Sequence, residues 1–429
     1  MKFSAAGDAI IQRRIYEGYD FDAIKSVVDE GDARFFNLET TVNREGECFA
    51  SQFSGGTYIR TNPEMLEDMK KFGFNMTTFN NNHAFDFSYK GMEKTIEALN
   101  ASGFVHAGVG RNMGEASAPA YLDTKSGRVA LISINTCFEP SMMAGGVTER
   151  FPGRPGVFGV RHQKKVVVKK ETLETLRDIA KRTMLNAEEE MEIKDGYMMP
   201  VPENLLNFDG TLFECGEQEG VFTSVHEGDM KRLEKSIAEA KFLADAVLVS
   251  VHSHTLKGDN KEDPADFIVE LAHKCIDAGA DAIIGHGPHL LQPIEVYKDK
   301  PIFYSLGDFI LELYSVPVAP ADFYGKVGVH HEEGVHELLR TRSKEFTIGL
   351  MEQRKMLQTV IPVWEMEDGK LTSLKLFPLE GKMRDKGSKN EMGLPFPVED
   401  DDIFERLSEM CKPYGVSMKK NGKFIECAW

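Results

Sequence analysis

The sequence lacks long apolar runs, and none of its 429 residues lies in a stretch apolar enough to span a bilayer. It also lacks an apolar leader, because Lys2 is followed directly by the short run that ends at Asp8. These two absences predict a cytoplasmic protein with no membrane span.

Positive charge and paired cysteines are scarce as well. Lys and Arg number 51 against 68 Asp and Glu, which gives a formal net charge of −17, and no basic run stands out. Binding of duplex nucleic acid requires a basic surface, so nucleic acid is excluded as a partner. The six cysteines are widely spaced and include no Cys-x-x-Cys pair. The sequence therefore predicts reduced thiols instead of a disulfide framework.

What the sequence contains is an alternation of helical patterns and short apolar runs. Helices are predicted at residues 20–30, 62–72, 89–100, 228–243 and 264–278. Strands are predicted at residues 34–38, 75–79, 128–134, 246–251, 282–284 and 301–306. Since 41% of the residues are hydrophobic, a large core can form. The alternation indicates a layered α/β domain.

Two regions depart from this alternation. Between residues 139 and 228, Gly and Pro pairs mark loops, and a charged helical stretch is predicted over residues 164–193. After Tyr314 the pattern is less regular, apart from a terminal helix near residues 403–411. We therefore expect a catalytic domain over residues 1–312 that contains an insertion at 139–228. Residues 313–429 are expected to form a C-terminal extension packed on the same domain.

Side chains that can bind metal ions or transfer protons follow five of the apolar runs. These positions are predicted strand ends, where α/β folds carry their sites. The segments are Gly7-Asp8, Asn37-Leu38-Glu39, Asn81-Asn82-His83, His252-Ser253-His254 and Gly285-His286-Gly287-Pro288-His289. Each alone is ordinary, because Asp caps helices and Asn or His at a turn satisfies backbone groups. Together they supply the imidazole and carboxylate ligands that two divalent ions about 4 Å apart require.

The last of these segments is the most informative. Gly285 and Gly287 allow a sharp backbone turn, so His286 and His289 are expected to point at one site from a single loop. The sequence therefore predicts a centre for divalent metal ions.

Further motifs occur in a fixed order along the chain: Tyr58 to Leu66, Asn81 to Asp86, Gly108 to Arg111, Gly285 to Pro293 and Tyr304 to Phe309. In this order they resemble the CapA family, the capsule-synthesis and poly-γ-glutamate-associated proteins of the calcineurin-like metallophosphoesterase superfamily. The resemblance covers about residues 1–140 and 228–312. It implies a metallophosphatase-like four-layer α/β/β/α sandwich with an inserted segment and an irregular C-terminal extension.

The resemblance also implies two divalent ions, Mn, Zn or Fe, and a set of residues that serve them. The implied metal ligands are Asp8, Glu39, Asn82, His252, His286 and His289, with Glu39 as the bridging carboxylate. The implied catalytic residues are His83, which polarises or protonates the substrate, Asp86, which orients a ligand or caps the next helix, and His254, an extra ligand or acid.

Three departures from the family pattern bear on this assignment. Asp8 is followed by Ala9-Ile10 where the superfamily has Asp-x-His, so we expect one ion to have fewer protein ligands. His252-Ser253-His254 replaces a common His-Trp-Gly, and Asp308 stands where Asn is usual.

The resemblance implies a metal-dependent hydrolase associated with poly-γ-glutamate capsule metabolism. A small-molecule phosphoester substrate follows from the superfamily and a γ-glutamyl polymer, cleaved at an amide bond, from the family; the sequence leaves both open. An alternative is a non-hydrolytic polymer-binding or assembly subunit of capsule synthesis. The missing Asp-x-His histidine favours this alternative, whereas the retained His83 disfavours it, because a scaffold has no need of a positioned acid.

Overall fold

A computed structural model of the chain describes residues 1–399 and 401–429. The helices are α1 (Asp22–Val28), α2 (Met65–Lys71), α3 (Ser88–Ser102), α4 (Met113–Ala116), α5 (Lys170–Thr183), α6 (Ala187–Lys194), α7 (Glu227–Leu243), α8 (Asp266–Asp277), α9 (Ala321–Val327), α10 (Gly334–Arg342) and α11 (Asp402–Cys411). The strands are β1 (Lys2–Ile10), β2 (Ala33–Leu38), β3 (Thr41–Val42), β4 (Arg60–Thr61), β5 (Met76–Thr78), β6 (Val105–Ala107), β7 (Val109–Gly110), β8 (Ala120–Thr124), β9 (Gly127–Asn135), β10 (Gly156–Val157), β11 (His162–Val168), β12 (Leu205–Phe208), β13 (Thr211–Cys215), β14 (Gly220–Val225), β15 (Ala246–His252), β16 (Leu256–Lys257), β17 (Asn260–Pro264), β18 (Ala282–His286), β19 (Ile294–Tyr297), β20 (Lys300–Phe303), β21 (Asp308–Leu311), β22 (Gln358–Glu367), β23 (Lys370–Gly381), β24 (Pro395–Pro397), β25 (Ser417–Asn421) and β26 (Phe424–Ala428).

Two large mixed sheets organise the chain. The first has the strand order β25-β26-β23-β22-β1-β2-β5-β6, and β21 also pairs with the end of β1. In it β1, β2, β5 and β6 run parallel, whereas β22 is antiparallel to β1. The second has the order β19-β20-β18-β15-β9-β8, with β9, β15, β18 and β20 parallel. Each sheet therefore collects the carboxyl ends of several parallel strands at one edge.

Three hydrophobic clusters separate four layers. The first joins helices α1 to α3 to the first sheet and includes Ile24, Leu66 and Phe36. The second lies between the two sheets and includes Phe35, Trp364, Leu131 and Ile284. The third joins the second sheet to α7 and α8 and includes Val249, Leu233 and Leu271. The α/β/β/α sandwich implied by the family resemblance is confirmed.

The central strands have the composition that such a sandwich requires. Every residue of β15, from Ala246 to His252, is buried. A nearly continuous apolar run suits a strand that is covered on both faces, by the other sheet on one side and by helices on the other. Apart from Ser250, the only polar residue of the strand is His252, which ends it.

Residues 162–225 of the insertion form a four-stranded sheet of their own, in the order β12-β13-β11-β14. Helix α5 covers this sheet, since Leu173 packs with Val168 and Leu206. The prediction that the helical stretch begins near residue 164 was wrong. β11 pairs with β13 and β14 instead, because the run Val166-Val167-Val168 is β-branched and fits a sheet better than a helix.

The C-terminal residues contribute to the first sheet. β22 pairs directly with β1, with Trp364 opposite Phe3, and β23 continues the sheet from β22. Between β21 and β22 lie α9 and α10, and after β24 come α11 and the hairpin of β25 and β26. None of the helices among residues 1–399 and 401–429 combines the length and the apolar character that crossing a membrane requires.

Candidate metal centre

The predicted ligands meet where the carboxyl ends of the two parallel strand sets face each other. In the first sheet, Asp8 of β1 stands opposite Asn37 of β2, and Glu39 follows β2 directly. In the second sheet, His252 at the end of β15 stands opposite His286 at the end of β18. Neighbouring parallel strands place residues of equal register side by side, so the fold brings these side chains together from distant parts of the chain.

Glu39 lies at the middle of the centre. Its side chain is fully buried, and among the described residues neither carboxylate oxygen has a hydrogen-bond partner. Ring nitrogens surround it: Nε2 of His252 at 3.6 Å, Nε2 of His254 at 3.7 Å, Nε2 of His83 at 4.0 Å and Nδ1 of His289 at 4.0 Å. A buried carboxylate with no donor is costly, whereas divalent ions held by those imidazoles would compensate its charge.

One group of ligand atoms comes from Asp8, His252 and His286, which can hold a single ion between them. Asp8 Oδ1 lies 3.5 Å from Nδ1 of His286 and 3.9 Å from Nδ1 of His252. The far nitrogen of His286 is 2.6 Å from the Ser250 hydroxyl, which fixes the ring. Such outer hydrogen bonds orient metal-binding histidines.

A second group consists of Asp8, Glu39, His289 and Asp308. Nδ1 of His289 lies 2.8 Å from Asp308 Oδ1, while Asp308 Oδ2 has no partner among the described residues. Asp308 is opposite Asp8 in the pairing of β1 with β21. It therefore lies beside Asp8, the residue that begins the incomplete Asp-x-His motif. The sequence analysis noted Asp308 only as a departure from Asn and did not name it as a ligand.

Asn82 and His83 follow β5 and reach the centre from the first sheet. Asn82 Nδ2 donates to the carbonyl oxygen of Gly55 at 3.0 Å, which turns Oδ1 towards His252 Nε2 at 2.8 Å. His83 is held differently: its Nδ1 is 2.7 Å from Asp86, so its Nε2 faces Glu39. Asp86 also accepts backbone N–H groups of Gly55 and Ile59.

His254 stands between the buried centre and solvent. Its Nε2 is 3.2 Å from Nε2 of His252, and its side chain is 30% exposed. It borders an open cleft of about 360 Å³ that Phe53, Phe138 and Cys137 also line. Cys137 can join His252 and His254 in a further group of possible ligands, which the sequence analysis did not identify. Asn82 and His254 of the centre thus line a cleft that is open to solvent.

Burial alters the charges of these groups. Burial, reinforced by the charge of Asp308, raises the pKa of Asp8 to about 7. Burial and the neighbouring Asp8 raise the pKa of Glu39 well above its usual range. Burial lowers the pKa of His286 to about 3, and burial with nearby imidazoles lowers that of His252. His252 and His286 are thus neutral, as metal ligands must be, whereas at His289 the charge of Asp308 outweighs burial and raises the pKa. The carboxylates ionise easily only beside a cation.

Asn37 is a polar residue of the centre that the sequence analysis did not assign. Its Nδ2 donates to Asp8 Oδ1 at 2.6 Å, and its Oδ1 accepts from Asn81 Nδ2 at 3.2 Å. It therefore orients the first carboxylate. Its position at the end of a buried strand, two residues before Glu39, was the available signal.

The comparisons with known proteins agree with one another. The family model described as bacterial capsule synthesis protein PGA_cap matches residues 2–312. An uncharacterized protein of Sinorhizobium fredii is 33% identical, over 96% of this chain and 89% of that protein. The capsule biosynthesis protein CapA of Bacillus anthracis is 23% identical, over 73% of this chain and 60% of that protein.

A third relative matches over a shorter segment. The PGA biosynthesis protein CapA of Bacillus subtilis is 51% identical, over 18% of this chain and 19% of that protein. The family match covers both sheet edges that carry the ligands, and the resemblance to CapA proteins is confirmed. The chain belongs to the family of bacterial capsule synthesis proteins described by PGA_cap.

Proposed function

We propose that the chain is a metal-dependent hydrolase whose centre holds two divalent ions. The observation that carries this proposal is the environment of Glu39, a fully buried carboxylate with no hydrogen-bond donor among the described residues and with four imidazoles within 4.0 Å. A structural carboxylate would be paired or hydrogen-bonded. An environment of imidazoles and further carboxylates fits Mn, Zn or Fe.

The ligands divide naturally between two ions, with Glu39 between them. One ion would take His289 and Asp308, the other would take His252 and His286, and Asp8 is placed to serve either ion. Asn82 Oδ1 lies beside Nε2 of His252 and would add a ligand there. Asp308 then supplies the ligand that the absent Asp-x-His histidine supplies elsewhere in the superfamily. The centre would thus keep a full set of protein ligands for both ions.

When bound, the ions supply Lewis acidity and an activated water molecule. His83 would deliver a proton to the leaving group from Nε2, because Asp86 holds its other nitrogen. His254, at the mouth of the cleft, would contact the substrate or complete an ion's ligand set. Phe53 and Phe138 would cover the bound substrate on either side and exclude water.

Two classes of substrate suit this arrangement. A phosphoester and a γ-glutamyl amide both need a polarised electrophile and a protonated leaving group. The names of the relatives point to capsule biosynthesis, so we place the substrate in poly-γ-glutamate capsule metabolism.

The test combines metal analysis with turnover. The purified chain, supplied with Mn, should hold about two ions and hydrolyse either bis(p-nitrophenyl) phosphate or γ-glutamyl-p-nitroanilide. Glu39→Gln is the matched control, since it keeps the shape of the side chain and removes the bridging charge; it should lose metal and activity together. A chain that binds no divalent ion, or that binds two and hydrolyses neither substrate, would contradict the proposal.

A second candidate function is a non-hydrolytic polymer-binding or assembly subunit of capsule synthesis. The observation that favours it is that the relatives are named as synthesis proteins. It predicts retention of γ-glutamyl polymer without cleavage. Incubation of the Mn-loaded chain with the polymer, followed by measurement of polymer length, separates the two candidates.

A further inference from the structure

A second cavity lies near the metal centre, on the other side of the backbone at Gly55 and Gly56. It measures about 250 Å³, and its walls come from Thr57, Lys261 and residues between Leu313 and Gln353. Most of these wall residues follow residue 312, where the match to the family ends. The cavity is therefore built largely by the part of the chain that the family model does not include.

The charge of this cavity is opposite to that of the protein. Its wall contains Arg342 and Lys261 and no carboxylate. The other lining residues are all uncharged. A chain with a net charge of −17 thus keeps a cationic cavity beside its metal centre. Such a cavity attracts anions.

Arg342 is oriented without being neutralised. Its Nη1 donates to the Thr57 hydroxyl, and its guanidinium lies over the Phe323 ring, 5.2 Å from the ring centre. Neither Arg342 nor Lys261 forms an ion pair within residues 1–399 and 401–429. Elsewhere on the same helix, Arg340 is paired with Glu337 and Glu345. The cavity therefore presents two cations whose charges are available to a ligand.

The backbone segment that separates the cavity from the metal centre is short and includes Gly55 and Gly56. A β-carbon on Gly55 would lie 2.6 Å from Asn82 Nδ2 and 2.7 Å from His83 Nε2, and one on Gly56 would lie 3.9 Å from Arg342 Nη2. Since adjacent Cα atoms are 3.8 Å apart, the guanidinium is at most about 13 Å from Asn82.

We propose that this cavity is a subsite for a second oxyanion, a carboxylate or phosphate, of the substrate whose scissile group lies at the metal centre. The proposal rests on the proposed function for the scissile group. Arg342 and Lys261 hold the oxyanion by charge-assisted hydrogen bonds. A γ-glutamyl chain carries a free carboxylate on every residue, so the subsite selects substrates with an anionic group beyond the scissile bond.

Binding measurements on the full-length, Mn-loaded protein test the subsite. By calorimetry, γ-glutamyl tetrapeptide and inorganic phosphate serve as separate probes. Arg342→Gln and Lys261→Gln should each weaken binding of the recognised probe by roughly tenfold, with metal content unchanged. Arg340→Gln and Lys257→Gln are matched controls, because they remove the same charges from ion pairs with Glu337 and Asp266 outside the cavity.

The probes identify the oxyanion. Weakened binding of the tetrapeptide alone assigns a carboxylate, and weakened binding of phosphate alone assigns a phosphate. Arg342→Lys retains the charge but not the planar donor fork, so it should weaken binding less than Arg342→Gln does, which separates loss of charge from loss of folding. Equal affinities in wild type and both cavity variants would overturn the subsite, as would equal weakening in the two control variants.

The same measurements distinguish failure of the hydrolase proposal from failure of the subsite proposal. If the tetrapeptide binds in a manner that depends on Arg342 but is not cleaved, the subsite stands and the hydrolase proposal falls. If a minimal substrate is cleaved while the cavity variants bind both probes like wild type, the hydrolase proposal stands and the subsite falls.

Discussion

His83 differs from the other histidines of the centre in what holds it. Its Nδ1 is bonded to Asp86, which also accepts the backbone N–H groups of Gly55 and Ile59, so the ring is positioned by a carboxylate that is itself fixed by backbone. We expect His83→Ala to keep its metal and to lose about 100-fold in turnover, because a general acid contributes that much. Metal content and rates on substrates of graded leaving-group pKa measure both effects.

The loss in His83→Ala should shrink for good leaving groups, which depart without a proton. Asp86→Asn is a useful companion, because it keeps the shape of the side chain while it weakens the hold on His83 and on the backbone at Gly55 or Ile59. A variant of His83 that loses its metals would show that His83 is a ligand and not an acid.

The closing histidines should behave in the opposite way. His286→Ala and His289→Ala remove ring nitrogens that face Asp8 and Asp308, so each should lower metal occupancy. His273→Ala is the control: that ring bonds Glu295 and stacks on Tyr297, outside the centre. Elemental analysis of the three variants decides, and equal loss of metal in all three would contradict the assignment.

At the scale of residues, the sequence indicated candidate site residues more readily than the contacts between them. Asp8, Glu39 and His252 could be found because each ends an apolar run, and a single run is local information. The place of Asp308 depends on β21 pairing with β1, some 300 residues away. No local pattern reveals that contact, so Asp308 was read as a departure and not as a ligand.

At the scale of elements, the loop from β18 to His289 depends on Gly287. Its φ of 117° disfavours any side chain, and a β-carbon would lie 2.5 Å from the Ser253 carbonyl oxygen. Gly287→Ala should therefore shift the loop, lower the melting temperature and reduce metal occupancy.

Gly196 provides the control for this substitution. Its φ is 81°, yet nothing lies within 4 Å of a β-carbon there, so Gly196→Ala carries the conformational cost without a clash. That cost is about 1–2 kcal/mol. Thermal melting and metal analysis of both variants test the argument, and a Gly287→Ala protein that melts and binds metal like Gly196→Ala would refute it.

The elements that the sequence analysis missed share a physical reason. No strand was predicted after Tyr314, although β22 and β23 are the longest strands of the first sheet. β22 contains Pro362 and β23 contains Pro378, and proline ordinarily argues against a strand inside a sheet. β22 is also buried without interruption from Gln358 to Trp364, so it shows no alternation. Its identity depends on pairing with β1, which only the tertiary fold provides.

On the scale of the whole molecule, the centre links stability to metal. Three carboxylates, Asp8, Glu39 and Asp308, are buried together where the two sheets meet. Without ions, burial raises the pKa of Asp8 to about 7 and that of Glu39 well above its usual range. Burial lowers the pKa of His286 to about 3. The effect of this shift on the pH dependence of stability is opposite to that of the carboxylates, but only below about pH 6.5, where histidine in the unfolded chain binds protons.

Above pH 7, His289, whose pKa the charge of Asp308 raises against the effect of burial, acts in the same direction as the carboxylates. In the unfolded chain the carboxyl groups ionise at about pH 4, so the folded, metal-free protein holds more protons than the unfolded chain. It therefore loses stability as the pH rises through the folded pKa values. We expect EDTA to lower the melting temperature, and to lower it further at pH 9 than at pH 7. The Mn-loaded protein, with its carboxylates already ionised, should lack this slope. Calorimetry with and without EDTA measures it, and chelated Glu39→Gln should show a smaller slope. A chelated wild type that melts equally at both values would disprove the linkage.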